Sequence, residues 1–571
     1  MEKSVERTQR TFIRLFLGAL IAIALLIGGI WATRDLYYRW QERRLVRRAW
    51  VDIDQGKARE ASLAARSILE MNPSSAGASR ILAALAERAG DRSALDWRRK
   101  VVQVDPHSVD DALALVRCAV KLNEIDIAEH ALKDIDENGR NTASYHEAAA
   151  LIAQAKREDD KAETEWSEAL RIKPGQTSFQ LELGILRTRS RDPDRFVSGE
   201  ALLSALRSDP GQRRAATKAL IDSGLAHKED PQKLLELARE LQSYPEATWI
   251  DRFIYLDFLR GLQDPQFSTY LTELEKLAPE KPSSLAALLT WMEKNNLSML
   301  ALDYLKTLPA ESLQEWPVPG ALADLYVRLR DWRSLENATA KANWGAVDFL
   351  RHAYLTRALR EQNKAVEAER EWNAATKDAA SSESLLLLVQ TISEWNWEAE
   401  LTDLLWALSK HPEKQKEALT ALYRHYAKTT DTQGLYRVLV RLSELDSENL
   451  NVQNNLAQVS LLLNANPTEG RRLAAEVYHK APKNPAYATT YAYALLSQGN
   501  AKEALRIMSS LSEEQLSDPT ISTYYGVLLA ANGDQKARPF LEFGKKANLL
   551  PEEKALIDKA FASLNSRGRT R

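Results

Sequence analysis

A small residue, most often alanine, returns about every 34 residues in a chain whose apolar positions otherwise follow α-helical spacing. Ala61, Ala94, Ala128 and Ala162 are separated by 33, 34 and 34 residues, and the register continues to Ala537. A repeat of this length is typical of stacked helix pairs, each of which buries its apolar side against the next. The chain is therefore expected to be a long array that grows by adding units, and not a compact enzyme core.

Fourteen steps connect Ala61 with Ala537, which predicts about fifteen helix pairs in an all-α chain. The positions between Ala162 and Ala537 are Ser198, Lys233, Phe267, Ala301, Leu335, Ala368, Glu400, Leu435, Gly470 and Ala504. Residues 233, 267 and 400 are large or charged and keep only the spacing, so the regularity of the stretch around residues 190–330 is left open. No stretch alternates with period two over enough residues to predict a strand.

Several segments repeat the order of small and bulky residues in more detail. The segment AETEWSEALRIKP carries Ala162, Trp166, Ala169 and Pro174, AEREWNAAT carries Ala368, Trp372 and Ala375, ASLAARSILEMNP carries Ala61, Ile68 and Pro73, and QGNAKEALRIM carries Gly499, Ala504 and Leu505. This order resembles the tetratricopeptide repeat. The resemblance implies a right-handed α-solenoid of roughly two superhelical turns, in which the small residue lies where the two helices of a pair approach closest and the bulky one fills the groove to the next pair. It also implies that the first helices line a concave groove, which holds partner proteins or extended peptides.

An apolar segment precedes the repeats. Phe12 to Trp31 carries one charge, Arg14, and twenty helical residues span about 30 Å, the thickness of a hydrocarbon core. A cleaved signal peptide is the alternative, but the apolar run is long for one and Trp31 stands where a cleavage site needs a small residue. The segment is therefore predicted to be an uncleaved transmembrane anchor.

The expected organisation of the chain follows from these two features. It comprises a basic tail (1–11), the anchor (12–33), a basic and aromatic juxtamembrane segment (34–44), the solenoid (45–550), a capping helix (551–565) and a disordered tail (566–571). The expected location is a bacterial inner membrane. The six arginines after the anchor favour a cytoplasmic repeat domain by the positive-inside rule, whereas a short tail before a large C-terminal domain favours the outside; the side stays open, and the layout tips the expectation outwards.

Composition excludes several classes of function. Lys plus Arg is 77 and Asp plus Glu is 79, so the chain lacks the basic excess of a general nucleic-acid binder. The single cysteine, Cys118, permits no intrachain disulfide. The phosphate-loop, dinucleotide, zinc-protease and nucleophile-elbow motifs are absent, and the eight histidines have no metal-like spacing. We expect no enzyme, no cofactor, no metal, no nucleic acid and no small-molecule substrate.

Two groups of residues are candidate contact sites. Asn451, Asn454 and Asn455 are spaced three and four apart at the start of a predicted first helix, and amides bind a peptide backbone without regard to its side chains; the alternative is a helix cap with polar surface around it. The second group, Arg43, Arg44, Arg47 and Arg48, either contacts anionic lipid head groups or is the solvated face of the first repeat helix.

Trp395 and Trp397 stand two residues apart, so on a helix they cannot share a face. Either one of them is exposed and serves as a contact anchor, or both belong to a turn tucked against the next pair.

The pattern as a whole predicts a membrane-tethered scaffold that mediates protein–protein interaction or complex assembly at the membrane. The alternative is a non-catalytic accessory subunit of an envelope biogenesis, polymer export or secretion complex.

Overall fold

The computed structural model describes residue 37 and residues 40–568. The expected anchor (12–33) and the last three residues of the expected tail (569–571) lie outside the described residues. The chain divides into two compact units, Met1–Leu274 and Glu275–Arg571. Within the described part of each unit the regular elements are helices and no strand occurs, which confirms the all-α prediction.

The helices that begin in the first unit are α1 (residues 40–54), α2 (Ala58–Met71), α3 (Ala76–Ala89), α4 (Ser93–Val104), α5 (Val109–Lys121), α6 (Ile125–Lys133), α7 (Glu137–Arg140), α8 (Ala143–Ala155), α9 (Asp159–Ile172), α10 (Thr177–Arg187), α11 (Pro193–Leu206), α12 (Arg213–His227), α13 (Pro231–Ser243), α14 (Trp249–Gly261) and α15 (Gln266–Leu277).

Those of the second unit are α16 (Pro282–Lys294), α17 (Ser298–Leu305), α18 (Val318–Leu329), α19 (Trp332–Thr339), α20 (Asp348–Glu361), α21 (Ala365–Asp378), α22 (Ser382–Ile392), α23 (Glu398–Leu408), α24 (Gln415–Thr429), α25 (Thr432–Leu445), α26 (Leu450–Leu463), α27 (Pro467–Lys480), α28 (Pro485–Ser497), α29 (Ala501–Met508), α30 (Glu513–Leu516), α31 (Pro519–Ala531), α32 (Ala537–Gly544) and α33 (Pro551–Gly568), with short 3₁₀ turns at Ala278–Glu280, Ala310–Leu313 and Gly345–Val347.

Apart from the four-residue α7 and α30 and the final α33, the helices of the described residues form fifteen consecutive pairs, from α1/α2 to α31/α32. Every position of the 34-residue register lies in the second helix of its pair, as expected for the position of closest approach. The alanines of the register are buried, at Ala61, Ala94, Ala128, Ala162, Ala301, Ala368, Ala504 and Ala537. The regular spacing therefore extends through residues 190–330.

At two weak positions of the register the close approach uses a neighbouring residue. In the α10/α11 pair it is Gly199 and not Ser198, since a Cβ at Gly199 would lie 2.8 Å from the backbone nitrogen of Thr188. In the α12/α13 pair Lys233 is exposed and Leu234 is buried at the crossing. A Cβ at Gly224 of α12 would lie 2.4 Å from Leu234, so the small residue has moved to the opposite helix.

The helices begin and end at residues with the expected chemistry. Ser75, Ser108 and Thr142 accept a hydrogen bond from a backbone N–H in the first turn of the helix that follows each of them. Asp-Pro or Asn-Pro starts α11, α13, α27, α28 and α31, because proline in the first turn leaves no intrahelical bond unmade. These signals fix where each pair begins.

A residue with positive φ follows the first helix in fourteen of the fifteen pairs. Glycine has this role four times and asparagine five times, and both tolerate the left-handed region. The other five are Arg157, Lys228, Gln263, Arg330 and Thr430. The left-handed residue stops the first helix and turns the chain into the second.

The bulky residues of the motif fill the space between pairs. Trp166 of α9 is buried, and its ring centroid lies 5.5 Å from that of Phe179 in the next pair. Trp395 and Trp397 are both buried in the turn between α22 and α23, with ring centroids 5.0 Å apart. Asn396, with φ of 59°, stands between them and directs both side chains inwards. The turn interpretation of this tryptophan pair is therefore correct.

Three boundaries differ from the prediction. α1 begins at residue 40, so the end of the expected juxtamembrane segment (34–44) belongs to the first repeat helix. α33 continues to Gly568, beyond the expected end at 565, and residues 566–568 of the expected tail are helical. α33 covers the apolar side of the last pair through Ile557, Ala560 and Leu564. No helix among the described residues is both long and apolar enough to cross a membrane.

Cys118 lies on α5 and is buried among apolar side chains of the α3–α8 region. Burial raises the pKa of its thiol to about 11, and the neighbouring carboxylate of Glu87 acts in the same direction.

Ala162→Leu tests the crossing. Ala162 is fully buried between α8 and α9, so three added carbons overpack the contact and the free energy of unfolding is expected to fall by about 1–3 kcal/mol. Ala205→Leu, at an exposed position of the second helix α11, is the matched control and is expected to change stability by less than about 0.5 kcal/mol. Urea unfolding measures both; equal stability of the two variants would show that the register is misplaced.

Candidate interaction surfaces

α1 presents two opposite faces. One face packs on the first repeats through Ala49 and Ile53, and the carboxylate of Glu42 accepts hydrogen bonds from the Asn72 amide, at 3.1 Å, and from the Ser75 hydroxyl. The opposite face is solvent-exposed. It carries Arg43, Arg44, Arg47, Arg48, Trp40, Trp50 and Val51.

The arginines of this face have no carboxylate partner among the described residues. The guanidinium of Arg44 lies 5.6 Å from the ring centroid of Trp40, whose side chain is 56% exposed. Guanidinium groups and exposed aromatic rings on one helical face are the groups that contact an anionic lipid surface. The four arginines remain a prediction as lipid contacts, and the structure adds Trp40, Trp50 and Val51 to their surface.

The three asparagines of α26 are placed differently from one another. Asn451 is exposed, and its side-chain oxygen accepts a hydrogen bond from the Tyr487 hydroxyl at 2.8 Å. Asn455 is half-buried and donates to the Tyr423 hydroxyl at 3.1 Å. Both amides therefore join neighbouring first helices of the second unit, while Asn449 caps α26 by accepting from the backbone N–H of Val452.

Asn454 does not face open space, contrary to the sequence expectation. Its side chain is 4% exposed, because it lies on the side of α26 that packs into the array. Its amide donates only a long bond of 3.4 Å to Asn455, and its oxygen has no partner among the described residues. Asn451 and Asn455 stay predicted peptide contacts; Asn454 reaches a peptide only if the helix moves.

The first unit has an open recess on its first-helix surface, between α10 and α12. Its volume is about 640 Å³. The recess is lined by equivalent positions of the two helices, 34 residues apart: Ile185 and Ala219, Thr188 and Asp222, Arg189 and Ser223. Small side chains on α12, at Ala215, Ala219 and Ala226, keep it open. We name it the α10/α12 recess.

The charges of the α10/α12 recess are mostly positive. Arg189 and Arg191 are exposed at its rim and have no carboxylate partner among the described residues. Lys218 pairs with Asp222 at 2.8 Å, and Arg214 pairs with the buried Asp251 at 2.6 Å. Two cations are thus available to an anionic group of a partner. Sequence reasoning missed this surface because its residues lie in an ordinary turn and on one face of α12.

A second feature missed from the sequence lies in the second unit. Asp324 of α18 is reached by solvent but surrounded by protein on most sides, and it accepts a hydrogen bond of 2.6 Å from the Tyr354 hydroxyl. The loss of solvation raises the pKa of Asp324 to about 6, against the effect of that hydrogen bond. The nearby Glu293 is paired with Arg328. The described residues thus place no nucleophile or free base beside Asp324, and the arrangement supports no reaction.

The histidines of the described residues take structural positions. His146 contacts Glu165 at 2.7 Å, and His352 contacts Glu371 at 2.6 Å. Each pair joins the first helix of a repeat to the residue before the buried tryptophan of its second helix, so the same contact occurs twice along the chain. No group of three metal-ligating side chains comes together among the described residues.

Asn454→Leu separates a structural role from a contact role. Leucine has nearly the same shape and removes a buried oxygen without a partner, so the variant is expected to be about 1 kcal/mol more stable than the parent. Asn455→Leu, the matched variant one residue later, is expected to be less stable because the Tyr423 hydroxyl loses its donor. The urea midpoints measure both; a less stable Asn454→Leu protein would mean that this amide has a partner that the geometry does not reveal.

Comparison with known proteins gives fold-level similarity only. No protein-family model matches the chain, and no curated protein sequence matches it. Among solved structures, one from the functional characterisation of Pseudomonas aeruginosa pilF aligns at 16% identity and a TM-score of 0.32, covering 38% of this chain and 97% of its own. A tetratricopeptide repeat protein from Parabacteroides merdae aligns at 13% and 0.33, covering 38% and 84%. The Cut9–Hcn1 hetero-tetramer of the APC/C aligns at 15% and 0.29, covering 80% and 96%.

The fold itself carries the assignment. Consecutive helix pairs, a small residue at the crossing of most pairs and a left-handed residue at the hairpin turn recur with a 34-residue period through the described residues. These features identify the chain as a protein of tetratricopeptide-like repeats.

Proposed function

We propose that this chain is a membrane-tethered scaffold that holds partner proteins close to the bilayer. The observation that carries the proposal is the exposed arginine and tryptophan face of α1, since it follows the apolar segment Phe12–Trp31 directly in sequence and has no partner among the described residues. An apolar span and an adjacent basic and aromatic helix face are complementary to the hydrocarbon core and the head groups of one membrane.

The partners bind to first-helix surfaces in this proposal. The α10/α12 recess supports it, because a recess of about 640 Å³ with two unpaired arginines accommodates side chains of an acidic protein segment. A tether raises the effective concentration of such a partner at the membrane without any new contact. The proteins captured at this surface will also distinguish a general scaffold from an accessory subunit of one complex.

Membrane fractionation tests the tether. The full chain is expected to stay in the membrane fraction after a high-salt wash, because an apolar span of about 20 residues binds far more strongly than exposed arginines do. The variant with Arg43, Arg44, Arg47 and Arg48 all changed to Glu is expected to stay there as well. Release of the parent by salt would contradict the proposal, and release of the variant alone would assign the attachment to α1.

Crosslinking in cells tests the partner surface. A photo-crosslinking residue at Ala219, inside the α10/α12 recess, is expected to capture protein partners. Arg189→Glu with Arg191→Glu is expected to reduce that capture about tenfold, since charge-assisted contacts are worth about 1.5–3 kcal/mol each. The matched control is Arg59→Glu with Arg66→Glu, two exposed and unpaired arginines on the second helix α2, which is expected to change nothing. Equal capture by both double variants would rule out the recess.

A further inference from the structure

In the second unit, part of the first-helix surface is covered by the chain's own residues 548–553, Asn-Leu-Leu-Pro-Glu-Glu, which we name the docked segment. Asn548 donates to the backbone carbonyl of Ala427 at 3.5 Å, and the carboxylate of Glu552 accepts a hydrogen bond from the hydroxyl of Thr432. Leu550 packs on the apolar cluster formed by α24 and α26. These contacts join residues about 120 positions apart in the sequence.

Glu553 is the centre of the docked segment. Its side chain is 3% exposed, and one carboxylate oxygen accepts hydrogen bonds from the Tyr524 hydroxyl at 2.6 Å and the Gln458 amide at 3.0 Å. The other oxygen accepts from the backbone N–H of Leu550 at 2.9 Å. No Lys or Arg pairs with Glu553 among the described residues. A buried carboxylate is thus held by neutral donors, two of which belong to the surface beneath it.

The surface beneath the docked segment is built from three separate repeats. Thr432 lies at the start of α25, Gln458 on α26 and Tyr524 on α31, and Gln458 also donates to the Tyr524 hydroxyl at 2.9 Å. Burial raises the pKa of Tyr524 well above its usual value, and the charge of Glu553 acts in the same direction, so the hydroxyl keeps its proton and remains a donor. We name Thr432, Gln458 and Tyr524 the receptor surface.

Covering the last repeat does not require these polar contacts. Ile557, Ala560 and Leu564 of α33 already cover the apolar side of the α31/α32 pair. Taking a carboxylate out of water is unfavourable unless hydrogen bonds replace its hydration. Glu552 and Glu553, placed on polar groups of earlier repeats, therefore indicate recognition of an acidic segment and not a simple cap.

We propose that the receptor surface binds an acidic segment of a partner protein, a leucine followed closely by two carboxylates, and that such a partner displaces the docked segment. The docked segment itself shows which chemistry the surface accepts: an apolar side chain over α24 and α26 and carboxylates on Thr432, Gln458 and Tyr524. The proposal rests on the proposed scaffold function and adds the class of partner. Because the docked segment is tethered, it lowers the apparent affinity of every competitor by the fraction of time the surface is free.

A labelled peptide with the sequence of residues 545–556, KKANLLPEEKAL, is the probe, and the full chain in detergent is the protein. Glu552→Ala with Glu553→Ala weakens the docked segment and leaves the receptor surface intact. Fluorescence anisotropy is expected to show the peptide binding this variant at least about tenfold more tightly than the parent. A peptide with glutamine at both glutamate positions is expected to show no such gain.

Two further measurements make the result specific. Adding Thr432→Val and Gln458→Ala to the double variant is expected to remove the gain in peptide affinity. Hydrogen exchange is expected to be faster in residues 548–556 of the double variant, while residues 557–566 of α33 stay protected by their apolar contacts. Leu550→Ala, which keeps both carboxylates, provides a second undocked protein should the double variant lose helical content.

Three outcomes would overturn the proposal. One is a freed segment, shown by exchange, with peptide affinity no higher than that of the parent. Another is a segment that stays docked without its two carboxylates. The third is a concentration-dependent dimer of the parent that exchanges residues 548–553 between copies, which would assign the surface to self-association. None of these results bears on membrane retention or on capture at the α10/α12 recess, so failure of this proposal and failure of the scaffold function are distinguishable.

Discussion

The close approach of two helices within each pair is the constraint on which the rest of the structure depends. At the crossing there is room for one large side chain at most, so its partner has to be alanine or glycine. Ala162 meets this requirement on the second helix. The α12/α13 pair meets it in the opposite way, with Leu234 on the second helix and Gly224 facing it on the first. The sizes of the two facing residues are limited together, while the identity of each can vary.

This joint limit explains how far the sequence predicted the fold. The all-helical class, the number of pairs and the second-helix register were predictable because the small residue usually stands on the same helix. Lys233 looked like a break in the register only because the glycine had moved to the facing helix. The hairpin turns at Arg157, Lys228 and Thr430 were not predictable, since a side chain that avoids the left-handed region gives no local sign that tertiary contacts hold it there.

The candidate contact residues were predictable only in part. Helical spacing correctly grouped Asn451 and Asn455 on neighbouring first helices, but it carries no information on depth, so the burial of Asn454 was missed. The contact between Thr432 and Glu552 depends on how repeats far apart in sequence curve towards each other, and a repeat pattern does not encode that curvature. The same reasoning applies to the α10/α12 recess, where alanines that look like ordinary helix formers leave the space between two helices unfilled.

The single cysteine has a practical consequence for mapping partners on so long a surface. Cys118 is buried, and its raised pKa leaves almost no thiolate near neutral pH, which is the form that alkylating reagents attack. The natural chain is therefore close to silent towards maleimides as it stands. Cysteines introduced one at a time along the first helices will report their own accessibility, repeat by repeat, without prior removal of the native thiol and without disturbing the packing around α5.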